Sequence, residues 1–161
     1  MMRREREITD EAGLRHVLDT AQVLYLALTD DDQPYVVPLT YGYTWQDGQL
    51  TLYMHGARTG YKYDLLAKNP KVSFAMDCDR QPFSGDVACK YGLAYASLCG
   101  KGTASLVTDP AEKCRALTLL MRTQAGEEFE FTDKLAAVVN VIRLDVSEFT
   151  GKHRPLPESA R

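Results

Sequence analysis

The chain has no stretch of about 20 consecutive apolar residues, so no helix is expected to cross a membrane. It lacks an excess of positive charge. With 19 basic and 22 acidic residues the net charge is −3, which argues against broad attraction to nucleic acid. Histidine is scarce: His16, His55 and His153 stand alone, with no His-Glu-x-x-His and no other recognised metal spacing, so no metal ligands are expected. There is no Gly-x-Ser-x-Gly elbow and no Gly-x-Gly-x-x-Gly opening a helix, and Gly100-Lys101 lacks the rest of a phosphate loop. The four cysteines, Cys78, Cys89, Cys99 and Cys114, form no Cys-x-x-Cys pair; buried free thiols are the expectation for most of them, with a Cys78–Cys89 pair on oxidation as the alternative. An enzyme built from this chain would lean on a borrowed cofactor for its chemistry.

What is present is an ordinary globular composition, 45% hydrophobic and 25% charged, long enough at 161 residues for one domain with its own core. The charged N-terminus leads into no apolar signal segment, so a cytoplasmic location is the default. Residues 1–161 read as a single domain with flexible tails at 1–7 and 153–161.

The run Leu50–Val72 is the most informative. Leu50, Leu52 and Met54 alternate with Thr51, Tyr53 and His55 as a strand does, and Gly56 breaks the alternation. A helix follows, with Thr59 as the expected N-cap and Tyr61, Leu65 and Leu66 on its apolar side; Asn69-Pro70 ends it. A helix start aimed at a strand end suits an anion, most often a phosphate. Arg58 and Lys62 bring positive charge there. By pattern alone, Lys62 as a solvated surface lysine is the commoner reading, although the helix dipole disfavours a cation at that position.

Elsewhere, Thr9 and the acids after it predict a helix to about Thr20. Val23 to Thr29 is a strand, Asp30 to Pro34 a hairpin turn, and Tyr35 to Thr44 a second strand. Pro38 cannot donate to a ladder, which puts it at an edge, a bulge or beside a ligand. Gln46-Asp47-Gly48 signals a turn. Val72 to Met76 is a strand, Asp77 to Lys90 a loop, and Lys90 to Leu106 a strand in which Gly100 and Gly102 mark a bend or a close approach. Asp109-Pro110-Ala111-Glu112 is a strong helix start, with Cys114, Leu117, Leu120 and Met121 as the stripe. A short helical turn near Thr132 to Ala137, a strand from Val138 to Val146 and an irregular tail from Phe149 complete the chain. Many strands, few helices and meander connections predict a mainly β fold, an antiparallel barrel with peripheral helices.

Taken together, Tyr53-Met54-His55, Lys62, Leu65 and Asn69-Pro70-Lys71-Val72-Ser73 resemble the FMN-binding split-barrel proteins related to pyridoxamine 5′-phosphate oxidase, and among them the 5-nitroimidazole resistance branch. Val36-Val37-Pro38-Leu39 before Tyr41-Gly42-Tyr43, the Tyr95-x-Ser97 run and Glu148 to Lys152 suit the same branch. The resemblance implies an antiparallel split β-barrel that dimerises, with FMN at the subunit interface. The strand holding Val37, Pro38, Leu39 and Thr40 would lie along the isoalloxazine, Met54, His55, Gly56 and Ala57 would contact ribityl and phosphate, Lys62 would bind the phosphate, and Ser97 would make a polar contact to the flavin. His55 is the catalytic candidate, as a flavin-tuning or proton-donating group, with a plain hydrogen-bonding role as the alternative. Cys99 is read as strand packing rather than a redox thiol, and Trp45 as interface or surface packing. The implied function is electron transfer from FMN to a small electron-poor acceptor. The alternatives are a flavin-binding sensor without turnover, or a split barrel holding haem or a deazaflavin. The oxidase's Ser-Arg-Lys phosphate set is here Gly60-Tyr61-Lys62, and its C-terminal tryptophan and arginine have no match, so vitamin B6 oxidation is not expected.

Overall fold

A computed structural model describes residues 3–158. A 3-10 turn at Arg4–Arg6 leads into β1 (Glu7–Ile8), followed by α1 (Glu11–Thr20), β2 (Leu24–Asp30), β3 (Gln33–Leu39), β4 (Tyr41–Gln46) and β5 (Gln49–Gly56). Then come α2 (Tyr61–Lys68), β6 (Lys71–Phe83), a 3-10 turn at Ala88–Lys90, β7 (Gly92–Leu106), α3 (Pro110–Ala125), α4 (Asp133–Ala136) and β8 (Asn140–Arg154).

The strands form one antiparallel sheet in the order β3-β2-β6-β7-β8-β5-β4, with β1 added to β8. Its two end strands, β3 and β4, are consecutive in the chain and separated by Thr40 alone. The Cα atoms of Leu39 and Tyr41 are therefore at most about 7 Å apart. The sheet has to curl until its two edges meet, yet among the described residues no ladder joins β3 to β4. This is a barrel with a split between those two strands, as the sequence resemblance implied.

Strand alternation fills the barrel. Leu24 and Leu26, Leu52 and Met54, and Ile142 and Leu144 are fully enclosed. A smaller cluster of Val107, Ala116, Leu117, Ala136 and Val141 lies under α3 and α4, outside the barrel. At Gly102, β7 and β8 shift register, and a Cβ there would stand 2.1 Å from the Asp145 carbonyl oxygen. The bend and close approach expected at that glycine are both present.

Several local expectations hold. Asp47 and Gly48 adopt left-handed backbone between paired Gln46 and Gln49, closing a two-residue hairpin. Asp109 caps α3 by accepting from the Glu112 N–H at 2.9 Å, with Pro110 opening the helix and Gly126 ending it at φ 71°. Pro38 lies on β3, an edge strand, where a missing donor is tolerated.

Others are corrected. Asp10, not Thr9, caps α1, because its carboxylate reaches the Gly13 N–H at 2.8 Å. The expected Tyr35–Thr44 strand is two strands broken at Thr40. The loop expected over Asp77–Lys90 is strand as far as Phe83, carried past its polar residues by pairing with β7 through a bulge between Cys78 and Gln81. On α3 the stripe is Ala116, Leu117 and Leu120, and Cys114 and Met121 are only partly buried. The expected tails are shorter: Glu7 pairs with Lys152, and His153 and Arg154 pair with Ala96 and Tyr95. Tail residues 1–2 and 159–161 lie outside the described residues.

Candidate functional site

The end of β5 is where the chain gathers its chemistry. The β4–β5 ladder pairs Tyr41 with Met54, which brings Thr40 level with His55 at the barrel split. Val37 and Leu39 are half-buried against the core, while Pro38 and Thr40 face outward and are exposed. Met54 is fully buried, so its side chain belongs to the core and only its backbone can meet a ligand. Beyond Gly56 the chain runs through exposed Ala57 to Gly60 and turns into α2. Asn140 fixes that passage by donating its amide to the Arg58 carbonyl at 2.8 Å.

α2 is pinned along its length. Tyr63, Leu65 and Leu66 enter the core. On its outer side, Tyr61 packs edge-on against Tyr35 at 5.3 Å and donates to Asp30, and the Lys68 ammonium lies 3.6 Å from the same carboxylate. Tyr63, not Tyr61 as expected, thus supplies the buried aromatic; Tyr61 is 46% exposed. Thr59 is not the cap. The N-cap is Gly60 at φ 149°, a backbone region that favours glycine, and no side-chain oxygen caps the helix. The first N–H groups of α2 are left available at its positive end.

Lys62 curls back over this point. A Cβ built on Gly56 would stand 3.1 Å from the Lys62 Nζ and 2.8 Å from the Tyr63 hydroxyl, so the two side chains cover a strand end that only glycine leaves open. The ammonium also lies 4.5 Å from the Tyr63 ring centroid. Among the described residues Lys62 takes part in no ion pair, and the Tyr63 hydroxyl is buried without a hydrogen-bond partner. A half-buried cation, a buried unpaired hydroxyl and an uncapped helix start converge on one small volume. That donor set fits a phosphate.

His55 stands apart from it. By alternation it leaves β5 on the face of Thr51 and Tyr53, opposite the side covered by Lys62 and Tyr63. Its Nδ1 is buried without a partner, and burial lowers the imidazole pKa, favouring the neutral ring. On the same face Tyr53 donates to Glu112, which also receives Arg143 at 3.0 Å; this network ties α3 to the barrel.

Ser97 is not brought to the site within one chain. It pairs with Lys152, whereas Gly56 pairs with Asn140, twelve residues earlier on β8 and up to about 40 Å of extended strand away. Its hydroxyl lies 3.4 Å from the Lys152 carbonyl. Trp45 is half-buried against the core, packing edge-on against Phe149 at 5.4 Å beneath the Arg15 guanidinium. Tyr63, Gly60 and Asn140 were not singled out from sequence as site residues. The Gly56–Gly60 pair flanking the turn was a usable signal for Gly60; nothing local pointed to Asn140, 82 residues from its partner.

A search of curated proteins gives no significant match. Among solved structures, a candidate 5-nitroimidazole antibiotic resistance protein from Bacteroides thetaiotaomicron is 28% identical, covering 91% of this chain and 86% of that one, with a TM-score of 0.76. The flavocytochrome Anf3 from Azotobacter vinelandii (18% identity, 95% of this chain and 71% of that one, TM-score 0.75) shares the fold. So does an FAD and haem binding protein from Mycobacterium smegmatis (20% identity, 95% and 76%, TM-score 0.77). A family model described as pyridoxamine 5′-phosphate oxidase matches residues 10–153, from the cap of α1 to the penultimate residue of β8. That span takes in β2 to β7, all but the last residue of β8 and the Lys62 corner, and the chain belongs to the pyridoxamine 5′-phosphate oxidase family.

Proposed function

We infer that this chain binds FMN and works as a flavin-dependent oxidoreductase that passes electrons to a small electron-poor acceptor such as a nitroaromatic. The observation that carries the reading is the convergence of Lys62 Nζ, the unpaired Tyr63 hydroxyl and the uncapped start of α2 over Gly56. Lys62 supplies charge, Tyr63 one O–H donor and the helix start its N–H groups, and together they hold the terminal phosphate. Bound FMN would supply the redox couple. The protein would supply position: the exposed outer side of Pro38 and Thr40 offers a flat edge of backbone along which the ring system can lie. Neutral His55 can accept a proton or donate the one on its other nitrogen, near the strand level of Thr40.

Ser97 bears on the assembly. If Ser97 and Lys62 serve one flavin, they come from different copies of the chain, because β8 separates them in one copy. A homodimer with flavin at the interface satisfies both. The likeness to the Bacteroides protein supports a nitroimidazole-type acceptor. The test is to load the protein with FMN, reduce it anaerobically and mix it with a 5-nitroimidazole. Reoxidation faster than that of free reduced FMN is expected; a rate no faster would leave a flavin-binding protein without reductase activity.

One observation favours a second reading. The buried, unpaired Nδ1 of a neutral imidazole has the chemistry of an iron ligand, and of the proteins sharing this fold one binds FAD and haem and another is a flavocytochrome. The visible spectrum separates the two: flavin absorption supports the first, a Soret band the second.

A further inference from the structure

Away from the Lys62 corner, α1 and the bulge of β6 bring together three side chains that the flavin reading does not use. His16 lies on α1, and Cys78 and Asp79 lie where β6 slips register against β7. One donor atom from each falls within 4.8 Å of the others. His16 Nε2 is 2.7 Å from Asp79 Oδ2, and Thr20 Oγ1, one turn along α1, is 3.5 Å from His16 Nδ1, so Nε2 is the nitrogen turned toward the group. Asp79 is held at φ 55°, and this left-handed bulge residue turns its carboxylate to the helix. Cys78 is buried, so its thiol approaches from the barrel side, while the imidazole and carboxylate approach from solvent. A cleft bordered by Thr20, Gln22, Tyr25, Asp77 and Arg80 opens beside them and gives a path from solvent.

Asp79 pairs with His16 and adjoins Cys78 in the chain, so its carboxylate brings the imidazole and the thiol to one point. Sulfur, imidazole nitrogen and carboxylate oxygen are together the ligand set of zinc-class ions. Metal–ligand arms of 2.0–2.1 Å place tetrahedral N and O ligands about 3.3 Å apart, so His16 and Asp79 need to part by only about 0.6 Å from their 2.7 Å contact. We propose that His16 Nε2, Cys78 Sγ and Asp79 Oδ2 form a site for a zinc-class divalent cation, with its fourth position facing the cleft and filled by water. Cys78 ligates as the thiolate, and its proton passes to solvent. The ion clips α1 to β6, two elements that are joined in the sequence only through β2 to β5 and α2.

The test uses the full-length protein and Co²⁺, read by difference absorption against the same sample without metal. One Co²⁺ per chain is expected, with a thiolate-to-cobalt charge-transfer band and tetrahedral ligand-field bands, all displaced by Zn²⁺. Cys78→Ser removes the charge-transfer band. Because Cys78 is buried and that variant can disturb folding, two exposed positions complete the test. Asp79→Asn keeps a residue tolerant of left-handed backbone, and His16→Gln keeps the helix; each is expected to weaken Co²⁺ binding by at least about tenfold. Cys114→Ser leaves the titration unchanged. A spectrum with no charge-transfer band, a band that survives Cys78→Ser, or wild-type affinity in both Asp79→Asn and His16→Gln would overturn the proposal.

Discussion

Replacing Lys62 with alanine isolates the phosphate contact from everything else in the site. The ammonium is half-buried over Gly56 and has no ion pair among the described residues, so its removal leaves no carboxylate stranded. The fold loses only the approach to the Tyr63 ring, on the order of 0.5–1 kcal/mol. The ligand loses a charge-assisted contact of about 1.5–3 kcal/mol. At 1.4 kcal/mol per tenfold, FMN should bind roughly 10- to 150-fold more weakly. Riboflavin, which lacks the phosphate, supplies the control. Fluorescence titration of both flavins into wild type and Lys62→Ala closes a double-mutant cycle. Wild type should prefer FMN to riboflavin, the variant should lose most of that preference, and riboflavin affinity should barely change. An equal FMN preference in the two proteins would refute the placement of phosphate at Lys62, whatever their absolute affinities.

Three further outcomes test the surrounding structure. Burial lowers the His55 pKa, so between that value and the ordinary one near 6.5 the unfolded chain binds the extra proton; this contribution to stability is complete above about 6.5 and lost as pH falls toward the folded pKa. Denaturant midpoints of His55→Gln should therefore fall less than those of wild type on acidification from pH 7. Gly102→Ala forces a Cβ to 2.1 Å from a backbone oxygen of β8 and should destabilise by about 1–3 kcal/mol or more in urea unfolding. Asp109→Ala removes the cap of α3, at a cost of about 1 kcal/mol, and should lower Tm by roughly 2–4 °C in calorimetry.

The parts of this fold legible in the sequence are those that a few neighbouring residues determine. Asp109-Pro110 and Asp47-Gly48 act through backbone groups within three residues, and both act where expected. Strand length is a different matter. The polar run from Asp77 to Phe83 and the stretch from Phe149 to Arg154 are strands because β7 offers them partners, a reason external to either segment. Caps fall between: Thr9 and Asp10 compete for one helix, and geometry favours the carboxylate next to the first turn. The site divides in the same way. That Lys62 would curl toward the strand end follows from its place in the first turn of α2. That Tyr63 brings an unpaired hydroxyl to the same spot depends on how α2 seats in the core. Placing Ser97 with Lys62 required knowing which strands are neighbours, and one chain keeps the two apart.

Native mass spectrometry of the protein supplied with FMN tests the central claim most directly. Two chains carrying two FMN molecules is the predicted species, with the nucleotide lost first from Lys62→Ala. A single chain without nucleotide, in the presence of excess FMN, would contradict it.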